Sequence, residues 1–182
     1  WVDVCTIDIE VASDEGFPEP QKANHPVISI TLKQPNSPYH VWGLYDYNAG
    51  EDVIYEKCES EAQLLMKFVD HWSRNTPDIV TGWNTRFFDV PYLVNRIGKT
   101  IGDDMVKKLS PWGLVREGNP TINGIKQQEY KLEGVEQLDY LEIFRKFTYN
   151  TLGQQESYRL DHIAHVVLGE GKLSYEEHGS LY

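Results

Sequence analysis

The stretch VDVCTIDIEV, residues 2–11, decides the fold. It is rich in β-branched residues, contains no Pro or Gly, and is apolar at positions that fall on both faces of an extended chain. That is the pattern of a central strand inside a sheet. Asp8 and Glu10 lie within it. Side chains two residues apart on a strand project from one face, about 7 Å apart along it. Two like charges inside an apolar run are costly to bury unless something compensates them. A divalent cation would do so, and carboxylate oxygens suit the hard ions Mg²⁺ and Mn²⁺. A wet strand end with solvated carboxylates accounts for the same spacing, so D-x-E alone leaves both readings open.

Outward from this strand, the loop at 12–26 carries Ser, Asp, Gly, Pro and Asn. VISITLK (27–33) and YHVWGLY (39–45) read as strands around the turn PNSP (35–38), which makes a three-stranded meander. DVIYEKC (52–58) is a further extended piece at an edge. Ser60 and Gln63 have capping-box spacing, and Leu64, Leu65, Phe68, Val69 and Trp72 form the stripe of an amphipathic helix that ends near Asn75, before Pro77. DIVTGWN (78–84) is a buried strand. DVPYLVNRIGKTIG (89–102) is a helix with Val90, Leu93, Val94 and Ile97 inward. Residues 114–132 form a hairpin signalled by Asn123-Gly124. GVEQLDY (134–140) is a strand, and LEIFRKF (141–147) and YRLDHIAHVVL (158–168) are helices. This order gives an α/β fold, a mixed β-sheet flanked by helices.

With 182 residues, 40% hydrophobic and 12% aromatic, the chain can build one real core, which excludes intrinsic disorder. No apolar run approaches the roughly 20 residues of a membrane span, and no signal peptide is visible. Cys5 and Cys58 make neither a disulfide framework nor a zinc pattern, so a reducing, cytoplasmic setting is expected. There is no initiator Met, which suggests a fragment or a processed chain. Seventeen basic against 28 acidic residues, net −11, argue against a free-standing nucleic-acid binder. Enzymes that gather carboxylates around metals are the exception, because the bound cations reverse the local sign.

Asn84 ends the second buried strand and Asp89 opens the helix after it. As a lone acid there Asp89 reads as a helix cap. If this strand lies beside the first, however, Asp89 shares a sheet edge with Asp8 and Glu10, where ligand sites gather. Phe17 sits in a Pro-flanked loop and could be core or a base-stacking residue. His162 and His165 share a helix face with no third ligand near in sequence, so they read as packed or solvated. No Gly-rich phosphate loop, G-x-S-x-G or H-E-x-x-H occurs.

TIDIEV (6–11) resembles the first exonuclease motif of family B DNA polymerases, and TGWNTRFFDVPYLVNRI (81–97) resembles their second, an Asn followed after a short gap by aromatic-Asp. QLDYLEIFRKFTYN (137–150) and SYRLDHIAHVVLGEGKLSYE (157–176) are similar to the same enzymes, the replicative polymerases of T-even-type bacteriophages among them. The resemblance implies a ribonuclease-H-like (DnaQ-like) fold over residues 1–182 with the hairpin at 114–132 as an insertion. It implies a proofreading 3′–5′ exonuclease that uses two divalent metal ions, Mg²⁺ or Mn²⁺, to release deoxynucleoside monophosphates. Asp8, Glu10 and Asp89 would be the catalytic and metal-binding residues, and Phe17, Asn84 and Phe88 would bind DNA. The implied partners are the single-stranded 3′ end of primer DNA, the remaining polymerase domains, and through them a sliding clamp and replisome proteins. No membrane is implied, and a viral source would place the chain in the host cell cytoplasm. The family's third motif is a Tyr with Asp four residues later, and none of the eleven tyrosines has one. Tyr158 and Asp161 are three apart and belong to a preceding helix. The chain is thus expected to be a cut-out ending before that motif, nearly inactive alone. A free-standing nuclease with a His-x4-Asp third motif finds no matching His. A catalytically silent domain that binds single-stranded DNA or braces a polymerase is the remaining alternative.

Overall fold

The chain is described by a computed structural model over residues 1–12, 16–122 and 124–171. Its elements run β1 (Val4–Val11), β2 (Val27–Lys33), β3 (Tyr39–Gly43), β4 (Val53–Lys57), α1 (Glu61–Arg74), β5 (Ile79–Gly82), α2 (Asp89–Ile101), α3 (Asp103–Lys107), β6 (Val115–Gly118), β7 (Thr121–Ile122), β8 (Ile125–Lys126), β9 (Glu129–Leu132), β10 (Glu136–Asp139), α4 (Tyr140–Leu152) and α5 (Leu160–Leu168). Six strands form one mixed sheet in the order β10-β5-β1-β2-β3-β4. β1, β2 and β3 are the antiparallel meander, β5 and β10 run parallel to β1, and β4 closes the far edge parallel to β3.

β1 is central, but it is not apolar on both faces as its composition suggests. Burial alternates: Cys5, Ile7, Ile9 and Val11 are buried while Thr6, Asp8 and Glu10 are exposed. The strand beside it, β2, is antiparallel, and such sheets can leave one face to water, so the period of two overrides the mean hydropathy. In register, Asp8 faces Thr31 and Glu10 faces Ser29, which makes the open face polar at its centre. The pairing shifts between Glu10 and Val11, where β2 carries one extra residue, Ile28, opposite the end of β1.

α1 and α2 supply the core. Ser60 Oγ accepts from Gln63 N, and Gln63 Oε1 accepts in return from Glu59 N. Leu64, Leu65, Phe68, Val69 and Trp72 are almost fully buried, and Trp72 Nε1 donates to Leu109 O at 2.9 Å. Val90, Leu93, Val94 and Ile97 of α2 face the same core. α4 is longer than its apolar spacing predicts. Its start is capped by Asp139, whose side chain accepts from Leu141 N, and its end is set by Gly153 at φ +67°. The short α3 buries no residue, so no apolar stripe marks it in the sequence. Beyond it, β6 pairs with β9 from Val115↔Leu132 to Gly118↔Glu129, and β7 pairs with β8. Asn123 lies outside the described residues, as do residues 172–176 of the last resembling segment.

One ion pair bolts the helices to the entrance of β2. Arg96 donates Nε and Nη2 to both oxygens of Glu61, at 2.7 and 2.6 Å. Glu61 Oε1 also accepts from Val27 N at 2.7 Å, and Arg96 Nη1 donates to Ala23 O. Ala23 is buried and has φ +40°, a conformation an alanine holds only when its surroundings enforce it. Both charged side chains are mostly buried. Arg96→Ala leaves a buried, uncompensated carboxylate and should cost about 3–5 kcal/mol in urea unfolding, whereas the paired change Glu61→Gln with Arg96→Met should cost less. Equal losses for the two would show that the pair contributes packing alone.

Candidate active site

β5 stops before β1 does. The last pair between them is Thr6↔Thr81, and β1 continues to Val11. The amide of Ile9 is therefore beyond the reach of β5, and Asp89 Oδ1 accepts from it at 3.1 Å. Asp89 is the first residue of α2, and its N-cap Phe88 makes no side-chain cap. Asp89 is thus more than a helix-capping acid, because its carboxyl group is stapled to the central strand.

The turn that carries Asp89 there is tight. A Cβ on Gly82 would lie 2.5 Å from Ile7 O and collide with the Thr85 side chain, so only glycine lets the chain leave β5 this close to β1. Asn84 has φ +64°, and its carbonyl accepts from Phe87 N and Phe88 N. Thr85 is buried and its carbonyl accepts from Val90 N. Asp139, at the end of β10, accepts from Asn84 N and Arg86 N, both at 3.0 Å. Arg86 reaches outward to Glu129 at 2.6 Å and Glu142 at 2.9 Å, and Trp83 Nε1 donates to Tyr158 O.

The three expected acids differ in environment. Asp89 is 4% exposed, whereas Asp8 and Glu10 are exposed on the open face. Burial first, and then the negative charge of Asp8, push the Asp89 carboxyl up, with a smaller upward push from Asp139; the Ile9 amide and its own amide pull it down, and together these leave it at about 8. Asp8 and Asp89 therefore feel each other's charge. Among the described residues, no three His, Cys, Asp or Glu side chains are gathered closely enough to hold a metal ion. The donor chemistry nonetheless fits a hard cation. A buried carboxyl beside a second carboxylate is held protonated by desolvation and repulsion, and positive charge relieves both.

Phe17 is 82% exposed and its ring lies 5.7 Å from that of Phe88, which lies 5.8 Å from Tyr92. Tyr92 is buried, and its hydroxyl donates to His25 O at 2.8 Å. An aromatic row thus runs from solvent to core beside Asp89. Asn84 is half-buried and contributes its backbone to the turn. Next to Glu10, the open face of β2, β3 and β4 forms a groove of about 540 Å³, lined by Thr31, Tyr39, Val41 and Tyr55 among others. His162 is half-buried and His165 exposed on α5. The residue missed from sequence is Asp139. It carries the signal that drew attention to Asp89, an acid where a strand gives way to a helix.

No helix among the described residues is long and apolar enough to cross a membrane. Residues 2–163 match the family described as DNA polymerase family B, exonuclease domain. The chain is similar to the DNA-directed DNA polymerase of Escherichia phage RB69, 34% identical over 95% of this chain and 22% of that protein. It is also similar to the DNA-directed DNA polymerase of Enterobacteria phage T4, 30% identical over 97% of this chain and 22% of that protein. The DNA polymerase delta catalytic subunit of Candida albicans is 31% identical over 54% of this chain and 10% of its own length. The chain thus spans about a fifth of the two phage relatives, and it belongs to the exonuclease-domain family of the family B DNA polymerases.

Proposed function

We propose that this chain is the proofreading 3′–5′ exonuclease domain of a DNA-directed DNA polymerase, with a ribonuclease-H-like fold over residues 1–182 and the 114–132 hairpin as an insertion. The observation that carries the reading is the buried Asp89 carboxyl, fixed to the Ile9 amide between the exposed Asp8 and Glu10. A sheet in which a three-stranded antiparallel meander is extended by two parallel strands supports the fold assignment. The proposed substrate is the single-stranded 3′ end of primer DNA, and the proposed partners are the other domains of the same polymerase, with a sliding clamp and replisome proteins reached through them. The host cytoplasm is the proposed setting.

Asp8, Glu10 and Asp89 would hold two divalent metal ions, Mg²⁺ or Mn²⁺. When bound, such ions supply an activated water and stabilise the departing oxygen of a phosphodiester. The chain's own contribution is to prepare their site. Asp89 Oδ1 accepts from the Ile9 N–H, and the carboxyl, pushed up to about 8, holds a proton near neutral pH and would give it up when positive charge arrives. The exposed ring of Phe17, backed by Phe88, offers a face on which a terminal base can stack, and such stacking is worth about 1–3 kcal/mol per base. Asn84, at the head of the turn, would contact the sugar or backbone of that nucleotide. A mismatched end reaches the site more readily because it costs less to unpair.

In the full polymerase, Asp8→Ala with Glu10→Ala should lower excision of a 3′-terminal nucleotide by more than about 100-fold, beyond what losing an outer partner of a metal site costs. Primer extension should stay within about twofold of wild type on the same reasoning that the two chemistries use separate sites. A parallel loss of both activities would refute the assignment.

Asp89 also makes a stability prediction for protein stripped of metal. Its carboxyl is raised to about 8 in the folded chain, against 3.8 when exposed. The folded state therefore binds more protons than the unfolded state between these values, and stability falls as pH rises through that window, by up to about 1.4 kcal/mol per pH unit. Thermal melts in chelator should show Tm declining from pH 5 to 8 for wild type and a flatter curve for Asp89→Asn. Adding Mg²⁺ or Mn²⁺ at pH 8 should raise Tm more in wild type than in the variant. Identical pH curves would remove Asp89 as the titrating group.

A further inference from the structure

Asp139 is 3% exposed and both of its carboxylate oxygens accept backbone hydrogens. Oδ1 takes Leu141 N at 2.9 Å and Asn84 N at 3.0 Å, and Oδ2 takes Arg86 N at 3.0 Å. The Leu141 bond caps α4. A cap alone would not need the other two, which cross 53 and 55 residues of sequence to hold the turn between β5 and α2. Asn84 there is in the left-handed region, which Asn adopts more readily than other non-glycine residues but still needs its neighbours to hold. The next fixed point along the chain is Asp89 on the Ile9 amide.

We propose that Asp139 is a positioning residue of this site: its carboxylate sets the Asn84–Arg86 backbone and thereby the place of Asp89 against β1. The inference rests on the exonuclease reading above. Three backbone bonds that converge on one buried side chain fix its neighbours more closely than any one of them could, which suits a role that demands placement within a fraction of an ångström. Arg86, held at its amide by Asp139 and at its guanidinium by Glu129 and Glu142, stops the turn from pivoting about that anchor.

The test uses the full polymerase with Asp139→Asn and Asp139→Ser. Asparagine keeps the volume but turns a donor towards one of the three amides. Serine still caps α4 yet is too short to serve the turn. Leu64→Ala, in the core of α1 and far from these bonds, is the control for destabilisation without displacement. Both Asp139 variants should lower excision turnover per folded molecule by about 10- to 100-fold with KM for single-stranded DNA little changed, as expected for a misplaced catalytic group. The Mn²⁺ concentration for half-maximal activity should rise, and hydrogen exchange in metal-free protein should show lost protection at the Ile9 amide. If the variants lose stability but match Leu64→Ala in turnover, Mn²⁺ dependence and Ile9 protection, Asp139 is a scaffold residue and the proposal falls. Failure of both variants to fold would assign it to the scaffold as well. An unchanged excision rate in Asp89→Ala would instead overturn the exonuclease reading.

Discussion

The site depends on one backbone amide. β1 outruns its parallel neighbour β5, and the Ile9 N–H that results needs an acceptor because it lies inside the protein. Leaving it unmet would cost about 1–3 kcal/mol. Asp89 answers that need, and in doing so it is brought beside the face from which Asp8 and Glu10 project. The unequal lengths of two strands therefore create a demand that a carboxyl group meets, and meeting it brings Asp89 within range of the charge on Asp8. Gly82 and the left-handed Asn84 are the local conditions for the turn that makes this possible.

The same bond sets up opposed electrostatic effects on Asp89. The helix N-terminus and the Ile9 amide favour the carboxylate, and a helix dipole is worth about 0.3–1 kcal/mol to such a charge, or up to about 2 in partly buried geometry. Burial and the neighbouring Asp8 oppose it and prevail, since the carboxyl is held at about 8. Net charge of −11 on the chain makes this worse at long range, though salt screens most of that contribution. A carboxyl group in this condition is poorly satisfied by the protein atoms around it. Its acidity is a feature of the site as much as of the overall composition.

Much of this was legible in the residues, and the parts that were not have physical reasons. The period of two puts Asp8 and Glu10 on one face, and the α1 and α2 stripes name the core correctly down to Leu64, Trp72 and Ile97. The loop-then-helix pattern around Asp89 marks a sheet edge, and β5 does lie beside β1. Burial of β1 on one face only was not legible, because a strand's composition does not say how many helices will cover it. Nor was the length of α4: its last turns, around Tyr149 and Leu152, are exposed and carry no apolar stripe to read. Asp139 escaped because an acid before a helix usually caps it. Its second task depends on a turn more than fifty residues away in sequence, which no local pattern encodes.

Precision at the site comes from where the turn's anchors originate. Its amides are held from β10, its arginine from β9 and α4, its tryptophan from the chain before α5, and its last residue from β1. Taken singly, the Arg86 ion pairs are half-exposed and each is worth little, about 0–1 kcal/mol. Their effect is geometric: a guanidinium held at two carboxylates while its own amide is held at a third cannot rotate without breaking several bonds at once. The β6–β9 pair and α4 thus do more than cover the sheet edge. Because Glu129 belongs to the first and Glu142 to the second, any displacement of either element is carried by Arg86 to the backbone that leads to Asp89, and the bulk outside the six-stranded sheet serves to keep one carboxyl group in register with one strand.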